Sequence, residues 1–164
     1  MKAKNVALYG LLIALALVLS YLESLVPLSF AVPGIKMGLP NIVMVFALYR
    51  LRARDAAVIY LVRVLLVSVL FGNVFSLAYS AAGAVLSLLV MLLLKSTGKF
   101  SETGVSVAGA VAHNAGQILV AVFVLETGRL VYYLPVLCIS GTVAGVCIGL
   151  ISALLVRRIK IENN

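Results

Sequence analysis

Long apolar stretches separated by short polar breaks are the main feature of the sequence. A helix that crosses a bilayer needs about 20 mostly apolar residues. The pattern therefore predicts an all-α, polytopic membrane protein with six transmembrane helices, in a single integral membrane domain over residues 1–164. The six stretches are Val6–Val26, Met37–Tyr49, Ala56–Phe71, Val74–Leu94, Gly104–Leu125 and Leu130–Val156.

The first two stretches differ from the others. The first is followed by Ser29-Phe30-Ala31, which is similar to the cleavage site of a signal peptide. About 20 residues is long for the apolar part of such a peptide, so a retained helix is favoured. The second stretch is short and follows Pro33, Gly34, Gly38 and Pro40. It predicts a short or partly unwound helix that is entered through an ordered loop.

The composition supports a membrane protein and excludes several other classes. Hydrophobic residues make up 64% of the chain and charged residues 11%, against about 45–50% and about 25% in soluble domains. Asp55 is the only aspartate, so the chain lacks the clustered aspartates with which a prenyl diphosphate synthase holds magnesium. Nucleotide-binding loops and zinc-spaced Cys/His motifs are also missing from the sequence. We therefore predict no catalytic residue, no metal site and no cofactor.

The basic residues predict the orientation of the chain. Lys and Arg total 13 against 5 acidic residues, a net charge of +8. They form short clusters without interleaved aromatic residues, which does not indicate nucleic-acid binding. With the N-terminus inside, ten of the 13 lie in cytoplasmic segments, as the positive-inside rule requires. The chain is thus predicted to be a multi-pass protein of the cytoplasmic (inner) membrane, with both termini cytoplasmic.

Arg63 is the one basic residue within a predicted span. It lies nine positions beyond Arg54, about 13 Å deep, where a charge costs about 2.5 kcal/mol or more. Three roles remain open for it. It can pair with a carboxylate, for which Glu23 and Glu126 are the candidates, bond to carbonyls of an irregular helix, or contact an anionic ligand.

A second polar group lies in the fifth apolar stretch. His113, Asn114 and Gln117 share one broad face of a helix, beside the small residues Gly109 and Gly116. Lipid cannot satisfy an imidazole and two amides, so they face protein, water or a ligand. Hydrogen bonds between helices are the alternative to a polar pocket.

Further polar residues collect towards the outer half of the predicted bundle. We predict an outward-facing site for a small organic molecule with an anionic or strongly hydrogen-bond-accepting head and an apolar body, such as a vitamin or an isoprenoid or quinone precursor. The predicted substrate-binding residues are Lys36, Asn41, Arg63, Tyr79, His113, Asn114 and Gln117.

Small residues form two stripes that allow close helix packing. One runs along the sixth stretch at Gly141, Gly145 and Gly149. The other lies on the first helix at Ala3, Ala7, Gly10 and Ala14. Each stripe can serve packing within the chain or docking of another membrane subunit.

Three segments carry a resemblance to a known family: Pro33–Val43, Arg63–Leu66 with Phe71-Gly72, and His113–Gln117. In these the chain resembles the Gx transporter family, also labelled heptaprenyl diphosphate synthase component I. That family looks like the substrate-binding S components of energy-coupling factor (ECF) transporters.

The resemblance implies a six-helix, S-component-like bundle with a ligand pocket open to the outside. Its implied partners are a shared ECF transmembrane subunit and two ATPase subunits. The first-helix stripe, as Ala3/Ala7 or Gly10/Ala14, is similar to the docking motif of S components. The family label implies an alternative role, a non-catalytic membrane accessory subunit of a heptaprenyl diphosphate synthase.

Overall fold

A computed structural model describes residues 3–25, 37–71 and 74–159. Six α-helices and one 3₁₀ helix make up almost all of this part of the chain, which contains no β-strand. The predicted all-α fold with six helices is therefore confirmed. The α-helices are α1 (Ala3–Leu25), α2 (Asn41–Arg50), α3 (Ala53–Phe71), α4 (Val74–Thr97), α5 (Glu102–Val124) and α6 (Leu134–Arg158), and the 3₁₀ helix is Gly128–Tyr133.

The six helices differ in their ability to cross a membrane. By length and composition, α1, α4, α5 and α6 are long and apolar enough to do so. Helix α3 has 19 residues but carries Arg54, Asp55 and Arg63. Helix α2 has 10 residues and spans about 15 Å, half of a hydrocarbon layer about 30 Å thick. Four full-length spans are thus supported, and α2 is the short helix expected from the sequence.

Only α4 starts at the predicted residue, and α2 starts at Asn41 instead of Met37. The starts of α6 and α3 have a clear physical reason. Leu130–Tyr133 belongs to the 3₁₀ helix, and α6 starts at Leu134 with Pro135 in its first turn. Proline is favoured there because the first helical N–H groups have no partner within the helix. Helix α3 begins at Ala53, three residues before the predicted Ala56, and has Asp55 in its first turn. A carboxylate there interacts favourably with the helix dipole.

Helices α4, α5 and α6 pack with their backbones close together. A Cβ atom added to Gly145 of α6 would lie 2.7 Å from the Cα atom of Val107 in α5. One added to Gly149 would lie 2.6 Å from the Cα atom of Thr103. The α6 stripe of small residues therefore serves packing within the chain.

Helix α2 lies at the centre of the bundle. Six consecutive residues, Val43–Leu48, are buried, so the helix is surrounded by protein on all sides. A helix that is apolar around its whole circumference is stable only in such a position. Its neighbours in the core include Leu12 and Ala16 of α1 and Ile59 of α3.

Basic side chains connect the ends of three helices, α2, α4 and α6. Arg50 Nη2 donates a hydrogen bond to the carbonyl oxygen of Val156 in the last turn of α6. Lys95 Nζ donates to the carbonyl oxygen of Leu48 in the last turn of α2, and it lies 5.3 Å from the ring centroid of Tyr49. The last carbonyls of a helix lack partners within it and attract cations. We call this end of the bundle the basic end.

The orientation of the basic end can be tested by labelling. Arg52 and Lys99 are exposed there, whereas Gly128 is exposed at the opposite end. In a background with Cys138→Ser and Cys147→Ser, we expect Arg52→Cys and Lys99→Cys to react with a membrane-impermeant maleimide only in inside-out vesicles. Gly128→Cys is the control and should react in intact cells. Labelling of Arg52→Cys or Lys99→Cys in intact cells would contradict the predicted topology.

The close contact between α5 and α6 predicts a difference between two glycines. Gly145→Ala should lower the free energy of unfolding by about 1–3 kcal/mol, because the new methyl group meets the backbone of α5. Gly10→Ala is the matched control, since an added Cβ there meets no atom within 4 Å. Thermal unfolding of the purified proteins in detergent measures both. Equal midpoints for the two variants would show that α5 and α6 do not need this close approach.

Candidate functional site

A polar cavity of about 90 Å³ lies between the helices. This volume accommodates several water molecules. All six α-helices contribute to its wall. Five of the predicted site residues line it, namely Asn41, Arg63, His113, Asn114 and Gln117.

Arg63 extends from the middle of α3 towards the first residue of α2. It is the eleventh of 19 residues in α3, about 15 Å from the start of the helix. Its Nη1 atom donates a hydrogen bond of 3.3 Å to Oδ1 of Asn41. Its guanidinium carbon lies 5.8 Å from the ring centroid of Tyr60, one turn earlier in α3, within the range of a cation–π interaction. Its Nε atom is buried and has no hydrogen-bond partner among the described residues.

Tyr60 connects this arginine with the polar face of α5. The side chain of Tyr60 is 1% exposed, so its hydroxyl depends on a partner inside the protein. That hydroxyl lies 3.5 Å from Nδ1 of His113. Polar contacts thus run from Asn41 through Arg63 and Tyr60 to His113, and join α2, α3 and α5.

The backbone of α4 lies directly against the polar face of α5. A Cβ atom added to Gly83 would lie 2.8 Å from the carbonyl oxygen of His113 and 3.0 Å from Cγ of Gln117. A side chain at position 83 would push the two helices apart. No described residue forms a hydrogen bond with the side-chain amide of Gln117. This amide is therefore available to water or a ligand.

Asn114 differs from Gln117 in this respect. Its Nδ2 atom donates a hydrogen bond of 2.6 Å to the carbonyl oxygen of Leu137 in α6. An added Cβ on Gly141 of α6 would lie 2.7 Å from the same nitrogen. The Asn114 amide nitrogen thus serves helix packing. For this residue the alternative named from the sequence, a hydrogen bond between helices, applies.

Glu23 brings a carboxylate to the cavity from the end of α1. Its Oε1 atom accepts a hydrogen bond of 2.6 Å from the backbone N–H of Gly38. Gly38 has a φ of +74°, a left-handed conformation that glycine adopts without steric cost. Its carbonyl oxygen accepts the N–H of Asn41 at 2.8 Å. The turn before α2 is therefore held to α1 by Glu23, while Glu126, the other candidate partner of Arg63, lies exposed at the end of α5.

Comparison with known proteins identifies the family. The sequence model of the family described as heptaprenyl diphosphate synthase component I matches residues 12–155. The chain belongs to this family. No curated protein and no solved structure matches the chain.

Of the two remaining predicted site residues, only Tyr79 can be placed, and it is not among the residues that line the cavity in this component I family member. Tyr79 is partly buried, but its neighbour Ser80 faces the cavity instead. One residue corresponds to a rotation of about 100° around a helix, which separates the two side chains. Lys36 lies outside the described residues.

The cavity also contains polar residues that were not among the predicted substrate-binding residues. Besides Glu23, the hydroxyl-bearing residues Ser68, Ser87 and Ser106 line it and are buried. Serine in a membrane helix often bonds to a carbonyl of its own helix, so a single serine carries little information. Ser80 and Ser87 are seven residues apart and therefore lie on one face of α4. This spacing was the feature of the sequence that could have indicated a polar face on this helix.

The two amides of α5 are expected to respond differently to truncation. Asn114→Ala should lower the free energy of unfolding by about 1–2 kcal/mol, because it removes the bond to α6. Gln117→Ala should leave stability nearly unchanged, since no described residue bonds to this amide. Thermal unfolding of both purified variants measures the difference. A larger loss for Gln117→Ala than for Asn114→Ala would reverse the roles given to them here.

Proposed function

We propose that this chain is the substrate-binding membrane component of an ECF-type uptake transporter for a small organic molecule. The observation that carries the proposal is the cavity itself. Its wall combines polar with apolar groups, it lies at the depth of Arg63, and side chains from all six α-helices line it. Polar groups within a membrane helix bundle usually mark a substrate or ion pathway.

The cavity supports a ligand with a polar head and an apolar body. Arg63 and Gln117 offer hydrogen bonds to a ligand, and Val45, Val64 and Ile148 offer apolar contacts. Ligand sites commonly combine an apolar wall with a few well-placed polar groups. A vitamin-like molecule or an isoprenoid or quinone precursor meets this description.

The proposed transporter needs partners, because the sequence contains no nucleotide-binding loop. Helix α1 offers a face for a transmembrane subunit. Ala3 begins this helix, and Ala7, Gly10 and Ala14 are exposed along one side of it. A Cβ atom added to Gly10 meets no atom within 4 Å, in contrast to Gly145. Ala7, Gly10 and Ala14 therefore leave a face of small residues open, which a neighbouring helix can approach closely.

The family description supports a second candidate function. A protein described as component I of heptaprenyl diphosphate synthase is one part of a synthase. The single aspartate of the chain supports an accessory role rather than catalysis of prenyl transfer. In this alternative the chain anchors or supplies a prenyltransferase at the membrane.

Co-purification separates the two functions. From cells that make the tagged chain at its natural level, mild detergent extraction should recover a transmembrane subunit and ATPase subunits. Mass spectrometry identifies them. Recovery of a prenyltransferase without ATPase subunits would reject the transporter and favour the accessory role.

A bulky residue on the exposed stripe should disrupt this complex. Gly10→Leu is expected to lower the recovery of partner subunits at least about fivefold, because it blocks close helix approach, with the chain itself still folded. Val143→Leu is the control, since Val143 of α6 is 62% exposed but lies on another helix. Equal recovery with both variants would move the docking surface away from this face of α1.

A further inference from the structure

The cavity wall carries two opposite charges that do not neutralise each other directly. Among the described residues that line it, Arg63 is the one Lys or Arg and Glu23 the one Asp or Glu. No oxygen of Glu23 lies within 4.0 Å of a nitrogen of Arg63. The two charged groups therefore face a common space that a ligand can enter.

Each group is held in place by one contact and keeps hydrogen-bonding capacity for another. Oε1 of Glu23 receives the Gly38 N–H, and a carboxylate has a second oxygen. The Nη1 atom of Arg63 is bonded to Asn41, and a guanidinium has five N–H donors. Both anchors, Gly38 and Asn41, belong to the same turn at the start of α2. The start of α2 thus holds an acceptor and a donor on the wall of one cavity.

We propose that this cavity binds a small molecule without net charge, which presents a hydrogen-bond acceptor to Arg63 next to a hydrogen-bond donor to Glu23. The proposal rests on the proposed ligand-binding function and specifies the class of ligand. Such a pattern occurs at the edge of an amide-containing ring and in a zwitterion with neighbouring ammonium and carboxylate groups. A diphosphate has several negative charges and no donor, so Glu23 disfavours it.

The physical reason is the low dielectric of the site. Charges a few ångströms apart interact far more strongly there than in water. An anion that binds Arg63 brings its negative charge close to the Glu23 carboxylate, which repels it. A molecule with both a donor and an acceptor satisfies both side chains and leaves no buried charge without a partner.

An isoprenoid diphosphate is a suitable probe, because removal of the Glu23 charge is expected to strengthen its binding. Purified wild-type chain, E23Q and E126Q are titrated with geranyl diphosphate. Glutamine at position 23 still accepts the Gly38 N–H but removes the negative charge. We expect E23Q to bind geranyl diphosphate at least about tenfold more tightly than wild type. E126Q removes an equal charge from the exposed end of α5 and should bind like wild type.

Equal affinity of wild type and E23Q for geranyl diphosphate would overturn the proposal, as would the absence of binding to both. Mass spectrometry of small molecules released from the wild-type chain distinguishes an amide-edged ring from a zwitterion. A diphosphate or another molecule with a net negative charge among the released molecules would also overturn the proposal. These measurements use the isolated chain. Co-purification of ATPase subunits, together with equal affinities of wild type and E23Q for geranyl diphosphate, would reject the ligand class but keep the transporter. Co-purification of a prenyltransferase, together with tighter binding of geranyl diphosphate by E23Q, would reject the transporter but keep the ligand class.

Discussion

The charge of Arg63, buried in the middle of α3, is the constraint around which the polar interior is arranged. A charge at that depth is costly unless protein groups or water stabilise it. The amide oxygen of Asn41 and the ring of Tyr60 contact the guanidinium, and Glu23 lies on the same cavity. Asn41 reaches it because α2 begins at this level. The short second helix and the buried arginine therefore belong to one arrangement.

Two kinds of helix packing surround this arrangement. On one side, α4, α5 and α6 are in backbone contact at Gly83 and Gly145, which leaves the position of His113 and Gln117 little freedom. On the other side, α1 reaches the site through longer side chains, with Glu23 bonded to Gly38 and the rings of Tyr21 and Phe71 5.8 Å apart. The polar wall on α5 is thus rigidly supported, while the contact with α1 depends on few interactions.

The sequence predicted the parts of this structure that depend on periodicity and on single unusual residues. The six helices, the short α2 and the polar face of α5 all follow from such local patterns. Glu23 was a candidate partner of Arg63, but its place in the cavity wall was not predicted, because only the folded chain shows that Gly38 returns to the end of α1. The two small-residue stripes look equivalent in the sequence. The structure shows the difference between them. The α5 backbone lies against Gly145, whereas a Cβ atom added to Gly10 meets no atom within 4 Å.

The cavity borders the buried core of α2. From Val45, which lines the cavity, towards the basic end, α2 continues with buried apolar residues up to Leu48. The bonds from Lys95 of α4 to Leu48 and from Arg50 to Val156 then connect the ends of α2, α4 and α6. Displacing a buried helix removes many apolar contacts, at about 25 cal/mol per Å². The buried position of α2, together with these bonds at its end, therefore opposes its movement and keeps Asn41 in place beside Arg63.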